Sequence, residues 1–388
     1  MERSEGDRAP VDLDALDAVL APLGQARSLP ADAYTSKDTF AWEMDHFFDR
    51  SWPCVGRTEE LAHPGAQTAV AFGSTGILLV RGTDGELRAF HNVCRHRGHE
   101  LVECGSTAQG RVIRCPYHAW VYGLDGELRA APRFHHLPAD DPVHDGLVPV
   151  PAVEWHGWLF VNPSADGPDF PAHVGDLGNR IGPYQAERLT PRAALTYEVA
   201  ANWKLIVENY HECYHCPNIH PELCRITPSD SGRNLDPDGL WCGGSMDLKD
   251  HAQTMSLTGR SDRPPLPGIT DEMRREVLYF GLFPNLLISL HPDYVLFHRI
   301  EPLAPDHSRV ECGWLFPSDA GPEIDPSDAV EFWDITNKQD WRACESVQRG
   351  VASRGYRPGP LAMEEDAVHQ FLTMVARGYL VGRPVPPS

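Results

Sequence analysis

Two short cysteine–histidine fingers constrain this chain more than any other feature: Cys94-Arg95-His96-Arg97-Gly98 and Cys115-Pro116-Tyr117-His118. Each offers one thiolate and one imidazole, and the stretch between them is long enough for two strands and a turn. A [2Fe–2S] centre with two thiolates on one iron and two ring nitrogens on the other requires this split. Neutral imidazoles in place of two thiolates leave less negative charge on the cluster, so reduction costs less. Structural zinc modules favour a C-x2–4-C pair with an H-x3–5-H pair, and neither finger has such a spacing. Gly98 and Pro116 suit tight loop tips where backbone passes close to a buried inorganic core.

At 388 residues the chain has room for about two domains with a real hydrophobic core. A formal charge of −21 argues against nucleic acid as a partner, since phosphate binding needs a cationic face. The same charge fits a cationic substrate or a basic electron donor. Of the ten cysteines, Cys94 and Cys115 are assigned to the cluster, and the others show no paired spacing beyond Cys213-x-x-Cys216. A reducing compartment is the simpler reading. No apolar stretch follows Met1–Arg8, so no signal peptide is expected. The longest apolar run, near Gly281–Leu290, is too short to cross a bilayer. A cytoplasmic protein without a membrane partner is expected.

Residues 1–40 read as an N-terminal arm, with a short helix around Leu13–Leu20, packing on the larger C-terminal domain. Thr39–Trp52 places Phe40, Met44, Phe47 and Phe48 at helical spacing. Residues 41–165 form a small all-β domain, in which Asp84-Gly85 and Asp125-Gly126 mark hairpin turns. A Pro/Gly/Asp-rich linker at Pro163–Pro171 precedes a larger domain, residues 166–388. There Leu195–Ala201 reads as a strand, and Lys204–Cys216 as a helix stopped by Pro217. Strands follow at Val277–Leu290, Tyr294–Pro302 and Arg309–Phe316, then long helices at Ser327–Gly350 and Met363–Leu380. The fold class is therefore α+β: a small all-β cluster domain and a larger antiparallel-sheet-and-helix domain.

The densest chemistry outside the fingers lies between Glu208 and His220. Two histidines at a short interval plus a distant carboxylate make a 2-His-1-carboxylate triad, which leaves open positions on ferrous iron. His215 is expected at a helix end and His220 on the emerging loop. His211 lies one helical turn before His215 and competes as a ligand. A zinc site, or a set of capped, solvated histidines, fits the same residues.

With these motifs together, the chain resembles the α subunit of Rieske-type non-heme iron oxygenases over nearly its whole length. The resemblance implies that Cys94, His96, Cys115 and His118 hold the Rieske cluster. It implies that His215 and His220 hold a mononuclear iron, with Asp340 in Gln339-Asp340-Trp341 as third ligand and Asp334 or Asp366 as fallbacks. Glu212 stands where relatives carry an acid that links the two centres between neighbouring subunits; Asn209 is a further candidate in the same segment. Glu at that position, where ring-oxidising relatives carry Asp, resembles the branch acting on quaternary ammonium compounds. A merely orienting partner for His215 is the simpler role for Glu212. Ala119 departs from the Gly usual after the second finger's histidine, which is expected to affect packing and not ligation. The family also implies a homotrimer, O2 as co-substrate, and a separate NAD(P)H-dependent flavin reductase, directly or through a ferredoxin. No G-x-G-x-x-G fingerprint follows a strand in this chain.

Segments around Gly243–Leu257 and Phe283–Tyr294 resemble the glycine betaine and stachydrine demethylating branch. A methylammonium head needs aromatic faces to replace its hydration, and Trp241, Phe283, Tyr294 and Phe297 are candidates. The expected reaction is oxidative N-demethylation. Hydroxylation of an aromatic or natural-product carbon is the alternative, and an electron-transfer protein without mononuclear iron is a third.

Overall fold

The computed structural model describes residues 8–72, 75–134, 138, 141, 145–317 and 324–387. The chain divides into two compact units: Phe48–Pro168, and a larger one joining the segment up to Phe47 with Asp169 onward. Helix Lys37–Glu43 crosses residue 40 without a break, so the arm and the start of the expected second segment both belong to the larger unit. Ser36 caps that helix by accepting from Thr39 N at 3.2 Å, and a wider turn, Met44–Phe48, continues it.

The smaller unit is built from antiparallel strands. Its five-stranded sheet runs in the spatial order Thr107–Gln109, Ala66–Phe72, Thr75–Arg81, Leu87–His91, Pro149–Val150. In Thr75–Arg81, Leu78 and Val80 join one buried cluster while Ile77 and Leu79 join another, so this strand is covered on both faces. The expected hairpins close at Gly85 (φ 85°) and Gly126 (φ 87°), where Asp84 and Asp125 accept from the backbone two residues on. The first finger follows Leu87–His91, and the second is the turn between Val112–Arg114 and Val121–Gly123. Trp120, Tyr122 and Ile113 pack with Cys94 and Cys115 beneath both fingers.

The larger unit centres on a seven-stranded antiparallel sheet, in which four consecutive strands, Glu276–Leu282, Leu286–Leu290, Val295–Ala304 and His307–Pro317, form a meander. Leu189–Val199 extends it at one edge and Trp241–Asp247 with Arg233–Asn234 at the other. Helix Ser327–Val351 lies against this sheet: Ala329 and Phe332 pack with Leu296, Cys312, Trp314 and Phe316. Its buried stripe continues through Thr336, Asn337, Cys344 and Gln348, and Asp340 falls in register with it. Helix Trp203–Tyr210 starts at Asn202, whose side chain accepts from Lys204 N at 3.1 Å. It is anchored by a fully buried ion pair, Lys204 Nζ to Glu43 at 2.7 Å, with Trp203 Nε1 donating to the same carboxylate at 2.9 Å. The helix ends at Tyr210, six residues before the expected stop. Pro217 instead sits in the first turn of the next helix, Cys216–Ile219, where its missing N–H costs nothing. Among the described residues, no helix is long and apolar enough to cross a membrane.

Candidate metal centres

The two fingers of the smaller unit are one turn used twice. Each cysteine donates its N–H to the carbonyl five residues on: Cys94 to His99 at 2.9 Å, Cys115 to Trp120 at 2.8 Å. Each cysteine carbonyl accepts from the residue four on: from Gly98 at 3.0 Å and from Ala119 at 3.2 Å. That fourth residue is left-handed in both, φ 72° at Gly98 and 58° at Ala119. The consequence of Ala119 is therefore backbone strain, not the packing effect expected from sequence. The His96 and His118 rings lie 4.6 Å apart between centroids, and His96 stacks on Trp120. His96 Nδ1 is buried with no hydrogen-bond partner, the condition of a nitrogen that ligates a metal. Cys94 and Cys115 are both buried. Tyr122 OH lies 3.3 Å from Cys94 Sγ and accepts from Arg95 N at 3.1 Å, fixing the thiolate position. Desolvation raises the Cys94 thiol, and the adjacent Cys115 raises it further, so two thiolates here need a cation between them.

In the larger unit, His215, His220 and Asp340 bring three donor atoms within 4.8 Å of one another. His215 Nε2 and His220 Nε2 stand 3.1 Å apart, and Asp340 Oδ1 lies 2.8 Å from the latter and 3.4 Å from the former. The outer nitrogens are committed: His215 Nδ1–H donates to Glu212, and His220 Nδ1–H donates to Gln339 Oε1 at 2.7 Å. Both inner nitrogens then present lone pairs to each other and to a carboxylate, which only a cation reconciles. The local field says the same. Desolvation works to lower the His215 imidazole, yet contacts with Asp340 and Glu212 overcome it and raise it to about 9. Asp340 is held below the usual carboxylate range by His215 and His220 although desolvation opposes this. Two imidazoles and one carboxylate on one side of a metal suit ferrous iron with free positions.

Other sequence candidates fall elsewhere. His211 is buried against Gly281, where a Cβ would come within 2.4 Å of the imidazole, and its Nδ1 bonds Val207 O at 2.6 Å. Asp334 accepts from Tyr197 OH at 2.9 Å and pairs with Lys338, while Asp366 accepts from Asn234. Neither joins the triad. Cys213 and Cys216 form a disulfide across the turn that carries Glu212 and His215, a pairing not expected from sequence; the remaining described cysteines are free.

The triad opens on a solvent-open cleft of about 620 Å³. Trp241, Phe283, Tyr294 and Phe297, expected to line it, are buried in the core and do not, whereas Tyr210, Tyr279 and Trp333 do. Sequence offered no signal for these three, since each comes from a separate element. A second cleft holds Glu208, Val347 and Glu365. Asn209, Glu212 and His215 line both clefts and form the wall between them.

Residues 51–141 match the Rieske [2Fe-2S] domain, and residues 186–380 match the ring hydroxylating alpha subunit (catalytic domain). The glycine betaine monooxygenase oxygenase subunit of Chromohalobacter salexigens is 31% identical, over 93% of this chain and 90% of its own length. The chain belongs to the Rieske-type non-heme iron oxygenases. The carnitine monooxygenase oxygenase subunit of Acinetobacter baumannii is 32% identical over 86% of this chain and 87% of its own. A solved quaternary ammonium Rieske monooxygenase, described in terms of carnitine oxidation and inter-subunit electron transfer, superposes with a TM-score of 0.80. It is 26% identical and covers 96% of this chain and 99% of its own. As an oxygenase of this family the chain carries a Rieske cluster and a mononuclear iron, and uses O2.

Proposed function

We propose that this oxygenase subunit removes an N-methyl group from a quaternary or methylated ammonium compound. His215, His220 and Asp340 would hold the mononuclear iron, and Cys94, His96, Cys115 and His118 the cluster. The observation that carries the reading is the triad's cleft, where Asp340 and Glu212 stand beside Tyr210, Tyr279 and Trp333. Aromatic faces replace the hydration of an alkylammonium head. The iron supplies oxygen activation. The chain's own residues then place an N-methyl carbon near the triad and keep bulk water from it. In balance, R–N(CH3)3+ with O2, two electrons and two protons gives R–NH(CH3)2+, formaldehyde and water. The hydroxylated methyl carbon loses its C–N bond, and the nitrogen keeps that electron pair.

Electrons would come from a separate NAD(P)H-dependent flavin reductase, directly or through a ferredoxin. Within a head-to-tail homotrimer, the Rieske centre of one protomer would serve the iron of the next through Glu212. Exposed apolar side chains on both units support this. Tyr117 and Val93 project beside the fingers, while Tyr214, Val347 and Met363 lie in the segments around the second cleft. Eight free cysteines fit a reducing compartment, and we place the protein in the cytoplasm.

Formaldehyde release and oxygen uptake, assayed on the reconstituted oxygenase with a surrogate reductase, test the reaction. Stimulation by methylammonium compounds supports it. Stimulation by aromatic acids alone moves the reading to ring or alkyl hydroxylation.

A further inference from the structure

The charges around the substrate cleft are of one sign. Asp340 and Glu212 line it, and none of the described residues lining it is Lys or Arg. Lys338, on the same helix as Asp340, is exposed and paired with Asp334 at 2.6 Å. The hydroxyls lining the cleft are already engaged: Tyr210 with Ser289 at 2.8 Å, Thr336 with Phe332 O at 3.0 Å, and Tyr279 with Asn234 at 2.9 Å. Both imidazoles face the triad and spend their outer nitrogens on Glu212 and Gln339. The rest of the lining includes Leu223, Met246, Met255 and Val277. A ferrous ion on the triad leaves one net positive charge, which the Glu212 carboxylate offsets. A substrate carboxylate in this cleft would lose its hydration and find no side-chain cation to replace it, only the neutral amide of Asn209.

We infer that the substrate is an N-methylated ammonium ion whose remaining body is uncharged and largely apolar. Its cation is held against the rings of Tyr210, Tyr279 and Trp333, and its body by Leu223, Met246, Met255 and Val277. This rests on the cleft being the N-demethylation site. It departs from the carboxylated substrates, glycine betaine and carnitine, that name two of the relatives.

The test uses the assembled, iron-loaded oxygenase. Binding is measured by anaerobic calorimetry and turnover by formaldehyde release, for trimethylphenethylammonium, choline, glycine betaine and carnitine. The aryl compound is expected to bind tighter, and to turn over with a kcat/KM higher, than either carboxylated compound by roughly tenfold or more, the worth of one unmade charge-assisted contact. Equal or better use of glycine betaine or carnitine overturns the inference and leaves the N-demethylation reading intact. A preference for choline over the aryl compound overturns the apolar body. Binding without formaldehyde from any of the four sinks the underlying reading instead. Met246→Arg, accepted as folded by its retained mononuclear iron and parent-like far-UV circular dichroism, is expected to narrow the gap to glycine betaine; an unchanged ratio counts against the placement of the body.

Discussion

Glu212 is where the proposed electron path is most exposed to test. Its carboxylate holds His215 twice, accepting the backbone N–H at 3.1 Å and the ring Nδ1–H through its other oxygen. A hydrogen bond to a charged acceptor is worth about 1.5–3 kcal/mol against about 0.5–1.5 for a neutral one. Glu212→Gln keeps the shape and one acceptor oxygen but loses the charge, so the link weakens by about 1–1.5 kcal/mol, or roughly tenfold. Glu212→Ala removes both contacts and leaves the imidazole N–H without its acceptor, a loss of about 3 kcal/mol or more and roughly a hundredfold in transfer rate. The assay is rapid mixing of the fully reduced, substrate-bound assembly with oxygen, following reoxidation of the Rieske absorbance, with iron content measured on the same samples. The expected series is parent, then Gln, then Ala, with both metals retained throughout. Reoxidation of Glu212→Ala at the parent rate, metals in place, refutes the bridge. Loss of mononuclear iron in step with the rate would leave Glu212 as an orienting partner of His215 and nothing more.

Other outcomes follow from the same geometry. Asp340→Ala should release about one iron per chain while leaving the Rieske spectrum unchanged, as metal analysis and absorbance will show. Ala119→Gly should stabilise the smaller unit by about 1 kcal/mol, because it relieves a left-handed alanine, read as a higher midpoint in thermal unfolding. The Glu208 carboxyl is raised to about 8 by desolvation, against opposing contributions from Tyr34 and Lys204. The folded chain then keeps a proton that the unfolded chain gives up near pH 4.3, so stability falls as pH rises from about 4.3 to 8, by at most about 1.4 kcal/mol per unit. Glu208→Gln should flatten that fall, measured as the urea midpoint between pH 5 and 8; identical slopes would reject the shift.

What could be read from sequence was chemistry packed into short segments. The fingers' ligand types and spacing pointed to the same two turns that the fold displays, and Asp-Gly pairs marked both hairpins. Asp340 was legible only through the resemblance to the family; its register with the buried stripe of Ser327–Val351, which includes Thr336, Asn337 and Gln348, emerges from the fold. Features set by tertiary contact were not legible. Helix Trp203–Tyr210 stops early because the chain must turn to bring His215 and His220 onto one point, and local propensity carries no trace of that demand. Aromatic candidates chosen by neighbourhood in sequence proved to be core: Trp241 and Phe297 lie in strands, Phe283 and Tyr294 in the connections between them, and all four are buried. Tyr210, Tyr279 and Trp333 meet only when a helix, a strand and a second helix have packed. The left-handed turn at Ala119 explains a sequence departure that reads, without φ, as a change in side-chain volume.

The wall shared by the two clefts ties these observations to function. One face of Asn209, Glu212 and His215 borders the cleft where substrate would sit, and the other borders the cleft with Glu208 and Glu365. Nothing in the apolar substrate cleft requires the second opening, and a carboxylate serving only to orient His215 would be satisfied from one side. A side chain reached from two directions, with exposed Val347 at the far cleft, is suited to accept a partner's group there while acting on the iron ligand here. The fingers carry a matching exposed ring in Tyr117, on a different unit of the chain. Because the two surfaces are different, the proposed pairing between identical chains would be heterologous, and it would have to close into a ring if it were not to grow without end.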